Sequence, residues 1–202
     1  MTDMERVRVI EERGKPKCAQ YWPDAECQPE ERNSLTKTVT VTLQHAVSSP
    51  YMVIRTITVQ PKGESESWTF TQLHFLAWAD HAVPELDEFY DLLQAYSRLR
   101  SQKPFSEAFG PTIVHCSAGV GRTGTLVCAD ILLDQLRNHP ATIDVFGTVL
   151  ASRVFRRRFV QVKGAGVFNR LVGPLNMGPP LPLVDLTIHV KRAGVCVCPA
   201  TR

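Results

Sequence analysis

The run VHCSAGVGRTGT at positions 114–125 constrains the fold of this chain more than any other segment. Just before and into it, PTIVHC (111–116) reads as a short buried strand. After it, the apolar spacing from about Arg122 to Leu136 is that of a helix, stopped by Asn138 and Pro140. A loop joining a strand end to a helix start turns its backbone N–H groups toward one point. Glycines at 119, 121 and 124 let such a loop close around a bound group without Cβ clashes. Cys116 stands at its mouth, facing those N–H dipoles and the positive end of the helix, and both favour a thiolate over a thiol. Arg122, six positions on, has the planar fork that grips two phosphate oxygens at once. Thiolate, N–H cradle and arginine together describe nucleophilic attack on phosphorus.

Two other readings compete. Gly119 to Gly124 also matches the glycine fingerprint of a dinucleotide site. That fingerprint wants a parallel strand ending in an acid about 20 residues on. Asp144 lies at that distance, but Asn138 to Ile143 makes a poor strand, and Cys116 and Arg122 are left without a role. Alternatively, Cys116 is a small buried hydrophobe. The adjoining loop weakens that reading.

The rest of the chain bounds the function. Its 202 residues make a one-domain length, and 23 Lys+Arg against 20 Asp+Glu leave a net charge of +3. That excludes the basic footprint of a dedicated nucleic-acid binder. No stretch reaches the roughly 18 apolar residues of a membrane span, and MTDMERVRVIEERGK (1–15) is too charged for a signal peptide. Six cysteines are too sparse for a disulfide scaffold, so a reducing compartment is expected. Residues 162–202 hold five basic residues and one acid, with five prolines and five glycines, which places a boundary near Gln161. The expected organisation is therefore a domain over 1–161 and a divergent, disorder-prone tail over 162–202.

Alternation predicts strands over Lys37–Val47, Tyr51–Val59 and Ser67–Phe75. Helical spacing covers Leu86–Leu99 and Val145–Phe155. This order predicts an α/β (α+β) fold, a mixed twisted sheet flanked by helices. In the tail, Val184, Leu186, Ile188 and Val190 alternate like a strand, but nothing obvious pairs with it. Arg153 and Arg156 to Arg158 form a basic cluster that either contacts an anionic partner or caps a helix C-terminus in solvent.

HCSAGVGRTG (115–124) resembles the full signature of the protein tyrosine phosphatase family. KCAQYWP (17–23) and WADHAVP (78–84) resemble two further family segments, the second its mobile acid-bearing loop, in the right order. The resemblance runs from about Glu11 to Gln161. It implies a phosphotyrosine-protein hydrolase with no metal or other cofactor, acting in the cytoplasm or in the cytoplasmic portion of a receptor-type parent. Cys116 would be the nucleophile, Asp80 the general acid, and Thr123 the hydroxyl that eases departure of the thiolate. Arg122 and the backbone of Ser117, Ala118, Gly119, Val120 and Gly121 would hold the phosphoryl oxygens, with Gln161 beside them. His115 would support the thiolate, Glu12 would anchor Arg122, and Lys17 would lie near the mobile loop. Glu12 and Lys17 read equally well as solvated surface charges.

Three departures from the family pattern stand out. The chain starts close to KCAQYWP, so the family's preceding part, with its tyrosine-recognition loop, is expected to be missing. Ala79 replaces a proline that would fix φ beside Asp80, and Ala82 replaces a glycine. Ala165 stands where the family has a second, water-positioning glutamine. Without the earlier strands the sheet edge should be unpaired and Ile113, Val114, Leu126 and Leu132 poorly covered, giving an aggregation-prone chain. The functions to separate are thus an active phosphatase, a catalytically weak phosphotyrosine-binding protein and a fragment without function.

Overall fold

The computed structural model describes residues 11–12, 15–16, 18–33, 36–78, 83–102, 111–138, 143–160 and 186–190. β1 (Glu11–Glu12) and β2 (Lys15–Pro16) form a two-stranded ribbon. β3 (Pro29–Asn33), β4 (Thr38–Ser48), β5 (Met52–Pro61) and β6 (Trp68–Phe75) form an antiparallel meander. Then follow α1 (Leu86–Gln102), β7 (Ile113–His115), α2 (Arg122–Asn138), α3 (Val145–Phe155) and β8 (Leu186–Val190). The main sheet has the order β3-β4-β5-β6-β8-β7. The class is α/β, with helices laid on one face of a sheet.

Strand alternation decides which face is which. Met52, Leu73 and Phe75 pack on the helix side with Phe89, Leu92, Leu93 and Tyr96 of α1 and Leu126, Ala129 and Leu132 of α2. Trp22, Val41, Leu43 and Ile57 form a second cluster, joined by Val39, Ala46, Val59 and Phe70. On β4 the odd positions Val39, Val41 and Leu43 give way to even Ala46 because the pairing shifts between Leu43 and His45. That bulge keeps the apolar set on one face past Gln44. An Arg100–Asp130 ion pair ties α1 to α2. β3, PEERN, carries no apolar alternation; it is an edge strand held by backbone pairing with β4, and its charges suit an exposed edge. α3 turns Phe146, Leu150 and Val154 outward and buries Thr148.

Two expectations need correction. The tail strand is not isolated: β8 pairs antiparallel with β6 on one side and β7 on the other. A pure alternation argument cannot see such a partner, because β6 and β7 lie more than 70 residues upstream. Every named ladder in the main sheet is antiparallel, so β6 and β7 run parallel only through the strand between them. Nor are the helix residues poorly covered. Leu126 and Leu132 are buried, while Ile113 and Val114 are half-buried.

Candidate active site

The site is built where β7 ends and α2 begins. β7 closes on His115, the loop runs through Cys116 to Gly121, and Arg122 is the first residue of α2. The helix is entered by Gly121 O, which accepts from Thr125 N at 2.9 Å and from Thr125 Oγ1 at 3.2 Å. No acid occupies its first turn, so the positive end faces the loop uncompensated by its own side chains. Inside the loop, Gly119 N donates to Cys116 Sγ at 3.2 Å. Gly119 sits at φ +65°, where a side chain is strained, so the turn that aims this N–H at sulfur needs glycine. Cys116 is half-buried, Ser117 and Ala118 are exposed, and Gly119, Val120 and Gly121 are half-buried. Arg122 is 6% exposed. Thr123 is buried too, and its hydroxyl hydrogen-bonds no atom of the described residues, so the bond to sulfur expected of it is not made here.

Behind Cys116 runs a polar chain across the sheet face opposite the helices. Arg55 donates to Gln72 Oε1 at 2.8 Å, Gln72 Nε2 donates to Tyr21 Oη at 3.1 Å, and Tyr21 Oη stands 2.8 Å from His115 Nε2. With Gln72 as donor, the phenol hydrogen goes to Nε2, which leaves the ring proton on Nδ1 facing Cys116 O at 3.3 Å. Burial pushes the His115 imidazole below its ordinary range and keeps it neutral, as this tautomer requires. His115 therefore bonds the Cys116 main chain in this arrangement. Tyr21, Gln72 and Arg55 are participants that the motif itself did not reveal. Tyr21 lies in KCAQYWP, and for Gln72 the sign in the sequence is that it and His74 interrupt an otherwise apolar and Thr-rich strand.

Arg55 also donates to His74 Nδ1 at 3.0 Å and lies over the Trp22 ring at 4.8 Å. Burial, with Arg55 and His115 nearby, lowers the His74 pKa to about 3. The unfolded chain takes up this proton near the ordinary histidine pKa and the folded chain resists it. Stability is therefore full above about pH 6.5 and falls as pH drops toward about 3, by up to about 1.4 kcal/mol per pH unit for this group. Urea midpoints measured from pH 7 to pH 5 should fall, and His74→Gln should flatten the slope. A variant with the unaltered slope would show that His74 does not carry it.

The far side of the loop is braced by the segment after α3. Val160 N donates to Val120 O at 2.9 Å, and Arg156 donates to Ala118 O at 3.2 Å. Arg153 in turn donates to Phe159 O at 2.9 Å and Val160 O at 3.2 Å. The basic cluster thus divides: Arg153 and Arg156 hold backbone, whereas Arg157 and Arg158 lie at the exposed end. Gly124 makes the fit possible, since a Cβ there would meet Val160 N at 2.3 Å. Gly124→Ala should cost about 1–3 kcal/mol as overpacking. Gly121→Ala, whose Cβ meets nothing within 4 Å, should leave the urea midpoint in place. Equal midpoints for the two variants would refute the close fit.

Asp80, Lys17 and Gln161 fall outside the described residues, as does Ala165, and of Glu12 only the backbone in β1 is described. What is fixed near Asp80 is the approach. Trp78 is 4% exposed and packs edge-on against Phe89 with ring centroids 5.1 Å apart, and Pro84 is buried.

The family model described as protein-tyrosine phosphatase matches residues 7–168. The chain is 34% identical over 188 residues to receptor-type tyrosine-protein phosphatase F of Homo sapiens, covering 92% of this chain and 9% of that protein. It is 38% identical over 161 residues to receptor-type tyrosine-protein phosphatase eta of Gallus gallus, covering 78% of this chain and 10% of that protein. The chain thus spans about a tenth of the length of these curated relatives.

Proposed function

The chain belongs to the protein-tyrosine phosphatase family, and from that premise we propose that it hydrolyses phosphotyrosine in proteins through a cysteinyl-phosphate intermediate. The observation that carries this reading is Cys116 Sγ held at 3.2 Å from Gly119 N at the mouth of an N–H loop that opens α2. In the first step the Cys116 thiolate attacks phosphorus and the bond from phosphorus to the tyrosyl oxygen breaks. Asp80 gives its proton to that oxygen, so a neutral phenol leaves. Arg122 and the N–H groups of residues 117–121 hold the equatorial oxygens as charge shifts. In the second step water attacks the same phosphorus, Asp80 takes the water proton, and the P–S bond breaks to give phosphate and the thiolate. His115 holds the Cys116 main chain from behind through Cys116 O, Thr123 would supply its hydroxyl to the departing sulfur, and Gln161 would lie beside the water.

No metal or other cofactor takes part, because the nucleophile is sulfur rather than a metal-bound water. The partners are phosphotyrosine-containing proteins and not nucleic acid. A thiolate nucleophile suits a reducing, cytoplasmic compartment. Among the described residues no helix is long and apolar enough to cross a membrane. The deciding experiment is phosphate release from a phosphotyrosine peptide by the full chain, with and without chelator and after treatment with iodoacetamide. Turnover that resists chelation and is lost in step with alkylation of Cys116 is expected. Turnover that survives complete alkylation would exclude the mechanism.

A further inference from the structure

β7, the strand that delivers His115 and Cys116, is three residues long and pairs with one strand among the described residues. That strand is β8, from the tail, in the register Ile113↔His189, Val114↔Ile188 and His115↔Thr187. On its other edge β8 pairs with β6 over five positions, from Thr71↔Val190 to Phe75↔Leu186. β6 is itself secured by eight positions of pairing with β5. The order of support is therefore β5 to β6, β6 to β8, and β8 to the strand that ends at the nucleophile. β8 lies beyond residue 168, where the family match ends, so the match assigns it no role.

Neighbouring strands stand about 4.8 Å apart, so β6 and β7 flank a slot about 10 Å wide that one strand fills. Without β8 two outcomes are open. β7 can keep its place with its ladder groups unpaired, or it can close on β6 by one strand spacing. The first leaves a three-residue strand that opens readily. The second carries His115 by several ångströms relative to Tyr21, whose hydroxyl now stands 2.8 Å from Nε2. Either one moves the Cys116 loop, and a misplacement of about 1 Å can cost about 100-fold in rate.

We infer that the tail strand Leu186–Val190 is a positioning element of the Cys116 loop, completing the sheet between β6 and β7 and fixing where the nucleophile stands. The activity readout rests on the phosphatase reading; the exchange readout does not. Consecutive strand residues point their N–H groups to opposite neighbours, so Thr187→Pro with Ile188→Pro removes one donor from each ladder. In the full chain this double variant should speed amide exchange at 113–115 by at least about tenfold while β4 and β5 stay protected. On a phosphotyrosine peptide kcat should fall by about 100-fold with KM little changed. Thr187→Val with Ile188→Val, which keeps every backbone donor, should match the unaltered chain in both. Unchanged exchange at 113–115, unchanged kcat, or the same loss in the valine control would each overturn the inference. Should the proline variant lose protection in β4 and β5 as well, exchange in the unaltered chain decides instead. Residues 186–190 should then be protected as strongly as 113–115, and fast exchange at 186–190 beside a protected 113–115 overturns it. An unaltered chain without phosphatase activity would sink the phosphatase reading and leave this inference to the exchange data.

Discussion

Cys116→Ser is expected to reduce turnover of a phosphotyrosine peptide by at least about 10⁴-fold while changing its Kd by no more than a few fold. The two side chains are nearly isosteric, so the loop keeps its shape and Arg122 stays at the start of α2. What is lost is the sulfur nucleophile that the proposed reaction uses. A serine hydroxyl facing the same Gly119 N–H remains protonated near neutral pH, and the described residues place no carboxylate or neutral imidazole ring nitrogen on the Cys116 sulfur to take its proton. His115 cannot serve, since its Nε2 is engaged by Tyr21 and its Nδ1 faces Cys116 O. Phosphate release gives kcat and titration calorimetry gives Kd. Residual turnover within about tenfold of the unaltered chain would mean that sulfur is not the nucleophile.

The candidate site was legible in the sequence where it is local. Cys116, Gly119 and Arg122 lie in one strand–loop–helix unit, and the structure keeps them in that unit. Strand and helix bounds from β4 to α3 also follow local periodicity and fall within a few residues of expectation, although β5 and β6 feed both apolar clusters and α3 turns Phe146, Leu150 and Val154 outward. Legibility fails for partners distant in the chain. The Tyr21–His115 bond spans 94 positions and the Arg156–Ala118 bond 38, and neither leaves a periodic trace. β8 fails for the same reason: five residues can announce a strand but not its neighbours. β3 fails differently, because an edge strand made of charges satisfies the backbone without any apolar pattern. The basic cluster was ambiguous for a third reason. Helix-capping and partner-binding arginines have the same sequence, and only the acceptors Phe159 O, Val160 O and Ala118 O separate them.

Asp80→Ala should lower kcat on a phosphotyrosine peptide by about 10²–10⁴-fold, the usual weight of a general acid. The peptide's leaving group is an ordinary phenol, which departs slowly as phenolate and readily once protonated. An aryl phosphate whose phenol is already acidic needs no such help, so on that substrate the same variant should lose far less. The pH profile supplies an independent reading. In the unaltered chain kcat/KM should decline on the alkaline side as the acid loses its proton, and in Asp80→Ala that decline should vanish. The described residues on either side are secured on the core, Trp78 against Phe89 and Pro84 by burial. Ala79 leaves φ unrestrained next to the acid, where a proline would restrict it. Ala79→Pro should therefore raise kcat on phosphotyrosine while leaving Asp80→Ala unimproved in the double variant, because a better-held loop is useless without the proton it carries. Equal losses on both substrates in Asp80→Ala, with the alkaline decline still present, would assign the acid to another residue.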